Sequence, residues 1–178
     1  ELFPLVDEGS CNWIITGDSI GLRYPGGKSY NTVANDGFAK KITWTKGSSI
    51  HFHCPSGEGI AGIHAAHKAR YETDLAKGWR YFGGVRLISF NDLVNKTYDY
   101  KPGQLEDTTR SLREYCMWIK QYMRAFVFVA VIDGQAWNIR NFTQFDEDAH
   151  TLMDIPSTLF GIPVILDTSI VRLGKFQD

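Results

Sequence analysis

Five short apolar runs recur along the chain, and each is followed by small or polar residues. Runs of four to eight apolar or alternating residues that end at turn-forming residues are typical of strands. The run at 126–132 is apolar at every position, which is typical of a parallel strand buried on both faces. The predicted strands lie at about 13–15, 49–53, 85–90, 126–132 and 162–167.

Helical patterns separate these strands. Apolar residues at intervals of three or four, including Leu112, Tyr115 and Ile119, predict a long helix that starts after Pro102. A helix is predicted at 60–76, with Gly78 at its C-terminal end. A short helix is predicted at 33–41 and a last one at 148–160, interrupted or kinked at Pro156 and closed by Gly161, after a loop at 135–147.

The alternation of strands and helices predicts the fold class. Strand, helix, strand in regular succession is typical of a parallel α/β sheet. A helical crossover returns the chain to the end of the sheet where the previous strand began, so the next strand runs parallel to it. We therefore expect a three-layer αβα, flavodoxin-like fold with about five parallel strands and helices on both faces. The whole of 1–178 is expected to form a single domain.

Composition limits the partners that can be expected. The chain has 19 basic and 20 acidic residues, a net charge of −1, so no global basic field predicts nucleic-acid binding. The longest apolar run is too short to span a bilayer, and no signal peptide is visible. Three widely spaced cysteines form no disulfide framework, which slightly favours an intracellular location. The oligomeric state is left open.

Polar or small residues follow three of the predicted strands. Ser19 follows the first strand, Gly57 the second and Asn91 the third. The carboxyl ends of parallel strands lie at one edge of a sheet, so these residues are expected to come together there. A serine hydroxyl is a possible nucleophile, and a glycine N–H and an asparagine amide can stabilise an oxyanion. The alternative is that Ser19 only caps the next helix.

Three short segments in this order resemble the sequence blocks of the SGNH (GDSL-type) hydrolases. Gly17-Asp18-Ser19-Ile20 is similar to the first block, and Ser56-Gly57-Glu58-Gly59 is similar to the second. Ser89-Phe90-Asn91-Asp92 is similar to the third, usually GxND, with Ser89 in place of the glycine.

The resemblance implies a serine ester hydrolase that acts on an acyl ester or an O-acetyl group, such as that of an acylated glycan. It implies that Ser19 is the nucleophile. The N–H groups of Ser19 and Gly57, with the Asn91 side chain, would hold the oxyanion. It implies no metal and no organic cofactor.

The fourth block of the family, DxxH, is not found in this chain. No histidine follows His150, which is preceded by Asp146 and Glu147 but lies before the last predicted strand. His150 is therefore only a stand-in for the general base. Either the chain stops short of this block, or the domain is a catalytically silent SGNH-fold module that binds RNA, protein or a glycan.

Two histidine pairs support weaker hypotheses. His51 and His53 alternate on a strand, and with Tyr115 or Tyr122 of the long helix they resemble the HUH-type DNA nickases. The neutral charge balance and the position of both tyrosines in an apolar stripe argue against this. His64 and His67 lie three apart on a helix and could chelate a metal, although a solvent-facing or capping role is the simpler expectation.

Overall fold

The structure, a computed structural model, describes residues 12–16, 49–53, 59–78, 81–88, 91–94, 97, 99–123, 125–130 and 139–166. Ser19 and Gly57 lie outside these residues, as do the predicted helix at 33–41 and the turns that follow β1 and β2. The elements are β1 Asn12–Thr16, β2 Ser49–His53, α1 Ile60–Ala76, β3 Tyr81–Ile88, α2 Leu105–Tyr122, β4 Ala125–Ala130, α3 Phe142–Phe160 and β5 Val164–Leu166. Short 3₁₀ turns occupy Asn91–Leu93 and Pro102–Gln104.

The five strands form one parallel sheet in the order β2-β1-β3-β4-β5. This is the flavodoxin-like doubly wound order, in which the chain runs one way from β1 to β2 and the other way from β3 to β5. The predicted α/β fold and its five parallel strands are confirmed. Right-handed crossovers place α1, α2 and α3 on one face of the sheet, where α2 packs against both α1 and α3. None of the described helices is long and apolar enough to cross a bilayer.

Aromatic side chains fill the layer between the sheet and these helices. Tyr115 of α2 and Phe128 of β4 are fully buried, and their ring centroids lie 6.1 Å apart in an edge-to-face arrangement. Phe126 meets Phe128 in the same manner at 5.4 Å. Such pairs stabilise a core beyond the burial of their area alone. The Tyr115 ring therefore lies at the centre of the core.

Two glycines end helices in the left-handed conformation, as the sequence predicts. Gly78 follows α1 with φ +83°, and its N–H donates to the Leu75 carbonyl at 2.9 Å. Gly161 ends α3 with φ +65°, and its N–H donates to the Ser157 carbonyl at 3.1 Å. A residue with a Cβ is strained in this conformation, which explains glycine at both positions.

The sequence prediction is wrong about the start of α3. The helix begins at Phe142, so the predicted loop at 135–147 is incorrect from residue 142 onward. Pro156 does not interrupt the helix, which continues as far as Phe160. The reason is burial: Phe145, Ala149 and Leu152 lie on the core face, each at most 2% exposed, and tertiary packing of an apolar face decides helix formation more strongly than propensity.

β3 also starts earlier than its apolar run, at Tyr81 instead of residue 85. Gly84 lies in this added part, paired with Ile14 of β1 on one side and Phe126 of β4 on the other. A Cβ at Gly84 would lie 2.6 Å from the Ile14 carbonyl oxygen and 2.9 Å from Phe126 Cε2. Glycine is thus required because two neighbours close over the strand.

Gly84→Ala is expected to lower the free energy of unfolding by about 1–3 kcal/mol, because overpacking forces neighbours to shift. Urea unfolding measures this. Gly103→Ala is the matched control, since a Cβ at Gly103 has no neighbour within 4 Å. Equal stability of the two variants would contradict the close approach at Gly84.

Candidate active site

Asn91 begins a short 3₁₀ turn just beyond the carboxyl end of β3. The turn is anchored by Leu93, which is fully buried, whereas Asn91 itself is half-buried. Asn91 therefore lies at the sheet edge where the sequence predicts the site. Ser19 comes three residues after Thr16, the last residue of β1, and Gly57 comes two residues before Gly59.

The neighbouring Asp92 connects this turn to the start of α1. Both carboxylate oxygens of Asp92 lie 3.0 Å from the backbone nitrogen of Ile60, whose N–H donates to them. Gly59, the N-cap of α1, makes no side-chain capping bond, so a carboxylate from another element supplies the missing acceptor. A carboxylate at a helix N-terminus satisfies an otherwise unpaired donor and is stabilised by the helix dipole.

Glycine at position 59 leaves room for the same contact. A Cβ at this position would lie 2.8 Å from Asp92 Cγ. Gly59 is the last residue of the second SGNH-like segment, and Asp92 is the last of the third. These two segment ends therefore touch. They follow β2 and β3, and β1 is the strand between those two in the sheet.

A buried polar cluster, formed by Thr16, His67 and Tyr115, lies under the end of β1. Tyr115 Oη is 3.3 Å from Thr16 Oγ1 and 2.5 Å from His67 Nδ1. All three residues are fully buried. The expectation that His64 and His67 face solvent or cap a helix is wrong for His67, and His64 packs edge-on against Tyr115 at 4.9 Å.

The metal and nickase hypotheses gain no support from the described part of the chain. There, no group of three or more His, Cys, Asp or Glu residues is placed to hold a metal ion. Tyr115 is buried in the core, and Tyr122 stacks on Trp118 at 5.3 Å. Tyr115, buried in this way, is not presented to a DNA strand. His51 and His53 lie on β2, an edge strand, and their side chains lie outside the description.

His150 lies in the middle of α3, eight residues after its start. His150 therefore lies about 12 Å along the helix axis from the N-terminus of α3, which is the end near the carboxyl ends of the strands. Its Nδ1 lies 2.7 Å from the Asp146 carbonyl oxygen and 3.4 Å from Asp146 Oδ1, and its side chain is half exposed. Both contacts belong to its own helix.

Hydrogen bonds also connect the chain that follows Asn91 to α3. The Lys101 N–H donates to the Leu93 carbonyl at 2.7 Å, and the hydroxyl of the next residue back, Tyr100, donates to Asp148 Oδ2. Gln144 Nε2 donates to the other Asp148 oxygen at 3.1 Å. Burial raises the pKa of Tyr100 to about 12, and the hydrogen bond to Asp148 and its negative charge act in the same direction.

Sequence reasoning missed these two roles of Asp92 and Asp148. Each carboxylate contacts an element far away in sequence, 32 positions for Asp92 and 48 for Asp148. The motif around Asp92 marks a strand end, but it carries no signal of the helix that the carboxylate caps. Asp148 also suits the start of a helix, and the sequence pattern predicts that the last helix begins there.

Several solved structures similar to this chain are described as a lipase, an esterase or a hydrolase. No family model and no curated protein sequence matches the chain. A protein described as a GDSL-like lipase, from Parabacteroides merdae, is 18% identical over 87% of this chain and 76% of its own, with a TM-score of 0.50. The acetylxylan esterase Axe2 from Geobacillus stearothermophilus is 14% identical over 94% and 92%, with a TM-score of 0.52.

LAE5, described as an α/β hydrolase enzyme from the metagenome of Lake Arreo in Spain, is 14% identical over 88% of this chain and 76% of its own, with a TM-score of 0.54. The chain shares its fold with these three proteins. This confirms the fold that the three motif-like segments imply, and at such low identity the likeness concerns the fold.

Asp92→Ala is expected to lower the free energy of unfolding by about 0.5–2 kcal/mol, because the N-terminus of α1 loses its carboxylate acceptor. Urea unfolding measures the loss. Asp154→Ala, which removes an exposed carboxylate from α3, is the control and should change stability by less than about 0.5 kcal/mol. A loss no larger than the control would show that Asp92 does not cap α1.

The stability of the protein should fall as pH rises from about 10 to about 12. The pKa of Tyr100 is raised to about 12 in the folded protein from 10.0. Its contribution is therefore fully present below pH 10 and is lost as the pH passes through the folded pKa. Urea unfolding at a series of pH values measures this. Tyr100→Phe should lack this part of the fall, whereas Tyr122→Phe should keep it; identical curves for both variants would contradict the assignment.

Proposed function

We propose that this protein is an SGNH-type serine ester hydrolase that acts on a small acyl ester or on an O-acetyl group, as on an acylated glycan. Ser19 attacks the carbonyl carbon as a base takes its proton, the ester C–O bond breaks and the alcohol leaves with that proton, and water then hydrolyses the acyl-enzyme to release the acid and restore the Ser19 hydroxyl. The N–H groups of Ser19 and Gly57 and the side-chain amide of Asn91 stabilise the oxyanion of each tetrahedral intermediate.

The observation that carries the proposal is the contact between Asp92 and the start of α1. Asn91 directly precedes Asp92, and Gly57 lies two residues before Gly59, so both proposed oxyanion donors belong to segments whose ends touch. The strand between these two segments is β1, which leads to Ser19. An oxyanion hole needs its donors on elements held rigidly together, and the contact between Asp92 and the start of α1 supports this role for Asn91 and Gly57.

The likeness to esterases supports the reaction class. Two of the similar structures carry the names of a GDSL-like lipase and an acetylxylan esterase, and both names describe cleavage of esters. An ester carbonyl needs a nucleophile, oxyanion donors and a base, and it needs no metal to react. We therefore infer an esterase that works without a metal or organic cofactor.

The general base is the open part of this mechanism. His67 is fully buried with Nδ1 on Tyr115, and the His150 ring contacts Asp146 of its own helix. The second candidate is a catalytically silent SGNH-fold binding module, which the missing DxxH block favours, since a serine without a base is a weak nucleophile at neutral pH. The two functions differ in whether Ser19 reacts.

A fluorophosphonate probe and hydrolysis of p-nitrophenyl acetate test the proposal. The wild-type protein should be labelled and should turn over the ester, and Ser19→Ala should abolish both. Asn91→Ala should lower kcat by about 10²–10³-fold with a smaller effect on KM, because the donor acts on charge that develops in the transition state.

Gln121→Ala is the control for Asn91→Ala, since it removes an exposed amide side chain from α2 and should leave kcat unchanged. A wild-type protein that neither hydrolyses the ester nor reacts with the probe would overturn the esterase proposal and leave the binding module. Equal kcat in Asn91→Ala and Gln121→Ala would remove Asn91 from the oxyanion hole.

A further inference from the structure

The cluster of Thr16, His67 and Tyr115 connects three elements at one point. Thr16 is the last residue of β1, His67 lies on α1 and Tyr115 on α2. The Tyr115 hydroxyl lies within hydrogen-bonding distance of both other side chains, at 3.3 and 2.5 Å. The three side chains are fully buried, so solvent does not compete for these bonds.

The polar atoms of this cluster are not needed to fill space. The Tyr115 ring already packs edge-to-face against Phe126 and Phe128, and a phenylalanine would make the same ring contacts. Valine has nearly the shape of threonine and suits a strand. Burying a hydroxyl is unfavourable unless it is hydrogen-bonded. The hydroxyls of Tyr115 and Thr16 therefore act through the directional hydrogen bonds that they make.

The cluster also lies on a continuous path between the proposed catalytic groups. Asp92, next to Asn91, holds the first residue of α1. His67 lies two turns further along the same helix, about 10 Å away along the axis. From His67 the path crosses Tyr115 to Thr16, three residues before Ser19.

We propose that Tyr115 and His67 are positioning residues, which hold Thr16 and thereby set the position of Ser19 relative to Asn91. This inference rests on the proposed esterase function. Neither residue touches the substrate. A displacement of about 1 Å between a nucleophile and its oxyanion donors can lower a rate by about 10²-fold. A hydrogen-bonded anchor at the last residue of β1 limits that displacement.

Tyr115→Phe and Thr16→Val each remove one hydroxyl and keep the shape of the side chain. Both should lower kcat by about ten-fold or more and change KM by less than about two-fold, because the loss affects orientation in the transition state and not ground-state binding. Thr16→Ser restores a hydroxyl and should recover most of the wild-type kcat. This recovery is not expected if the side chain only fills space, since serine is the smaller residue.

Two controls separate positioning from general weakening of the core. Tyr122→Phe removes a hydroxyl from the same helix outside the cluster. Ile119→Val trims a buried side chain of α2 and loosens the packing with the cluster intact. Both should keep the wild-type kcat at a temperature where all variants are folded. A kcat for Tyr115→Phe equal to that of Ile119→Val would overturn the proposal.

Amide hydrogen exchange tests the anchor without reference to catalysis. In Tyr115→Phe and Thr16→Val, the amides of β1 near Thr16 should exchange about ten-fold faster than in the wild type, the factor that corresponds to a net hydrogen bond. Tyr122→Phe should match the wild type. Unchanged exchange near Thr16 would overturn the inference even in an active esterase.

The same measurement keeps the two proposals distinguishable. An inactive wild-type protein whose β1 amides exchange faster in Tyr115→Phe would overturn the esterase function and, with it, the catalytic meaning of the anchor. An active protein with unchanged exchange and kcat in Tyr115→Phe would overturn the anchor and leave the esterase function in place.

Discussion

The contact between the Asp92 carboxylate and the first N–H of α1 is the constraint on which the carboxyl edge of the sheet, where the candidate site lies, depends. The two oxygens lie 3.0 Å from the Ile60 nitrogen, and a Cβ at position 59 would lie 2.8 Å from Asp92 Cγ and displace this carboxylate. A helix N-terminus prefers a negative partner, and here that partner comes from the strand end on the far side of β1. One hydrogen-bonded carboxylate thus joins the chain that follows β2 to the chain that follows β3.

The buried polar cluster lies in the core beneath this edge of the sheet. The layer between the sheet and its helices is mainly aromatic and aliphatic, yet Thr16, His67 and Tyr115 meet within it. A buried polar group without a partner destabilises a protein, whereas a satisfied one selects a single geometry. Apolar packing therefore stabilises the layer, and the hydrogen bonds determine the position of the end of β1 within it.

The sequence predicted the strands and the α/β fold class because buried parallel strands leave a simple signal. Apolar runs that end at small or polar residues mark strands, and their alternation with helices gives a doubly wound sheet. Two helix ends were equally clear, since Gly78 and Gly161 occupy left-handed positions that favour glycine. The start of α3 was missed because 142–147 is polar and aromatic, and only burial of Phe145 against the core shows that it is helical.

The contacts that shape the candidate site could not be predicted in this way, because they join residues that no local pattern relates. Asp92 pairs with Ile60, Tyr100 with Asp148 and Thr16 with Tyr115, which are separated by 32, 48 and 99 positions. A motif identifies Asn91 as a candidate donor from its neighbours in sequence. It contains no information on the helix that the adjacent aspartate caps, or on the tyrosine beneath the end of β1.

Serine, glycine and asparagine at three strand ends are not by themselves a catalyst. Oxyanion donors act on charge that appears only after the nucleophile has attacked, so their geometry sets the rate only when a base can take the serine proton. His150 keeps both of its contacts within α3, and His67 Nδ1 lies 2.5 Å from the Tyr115 hydroxyl. The contact of Asp92 and the buried cluster therefore concern the position of the strand ends, not the chemistry of a base. The reactivity of Ser19 depends on the group that accepts its proton, and this is the chemical difference between an esterase and a binding module with the same fold.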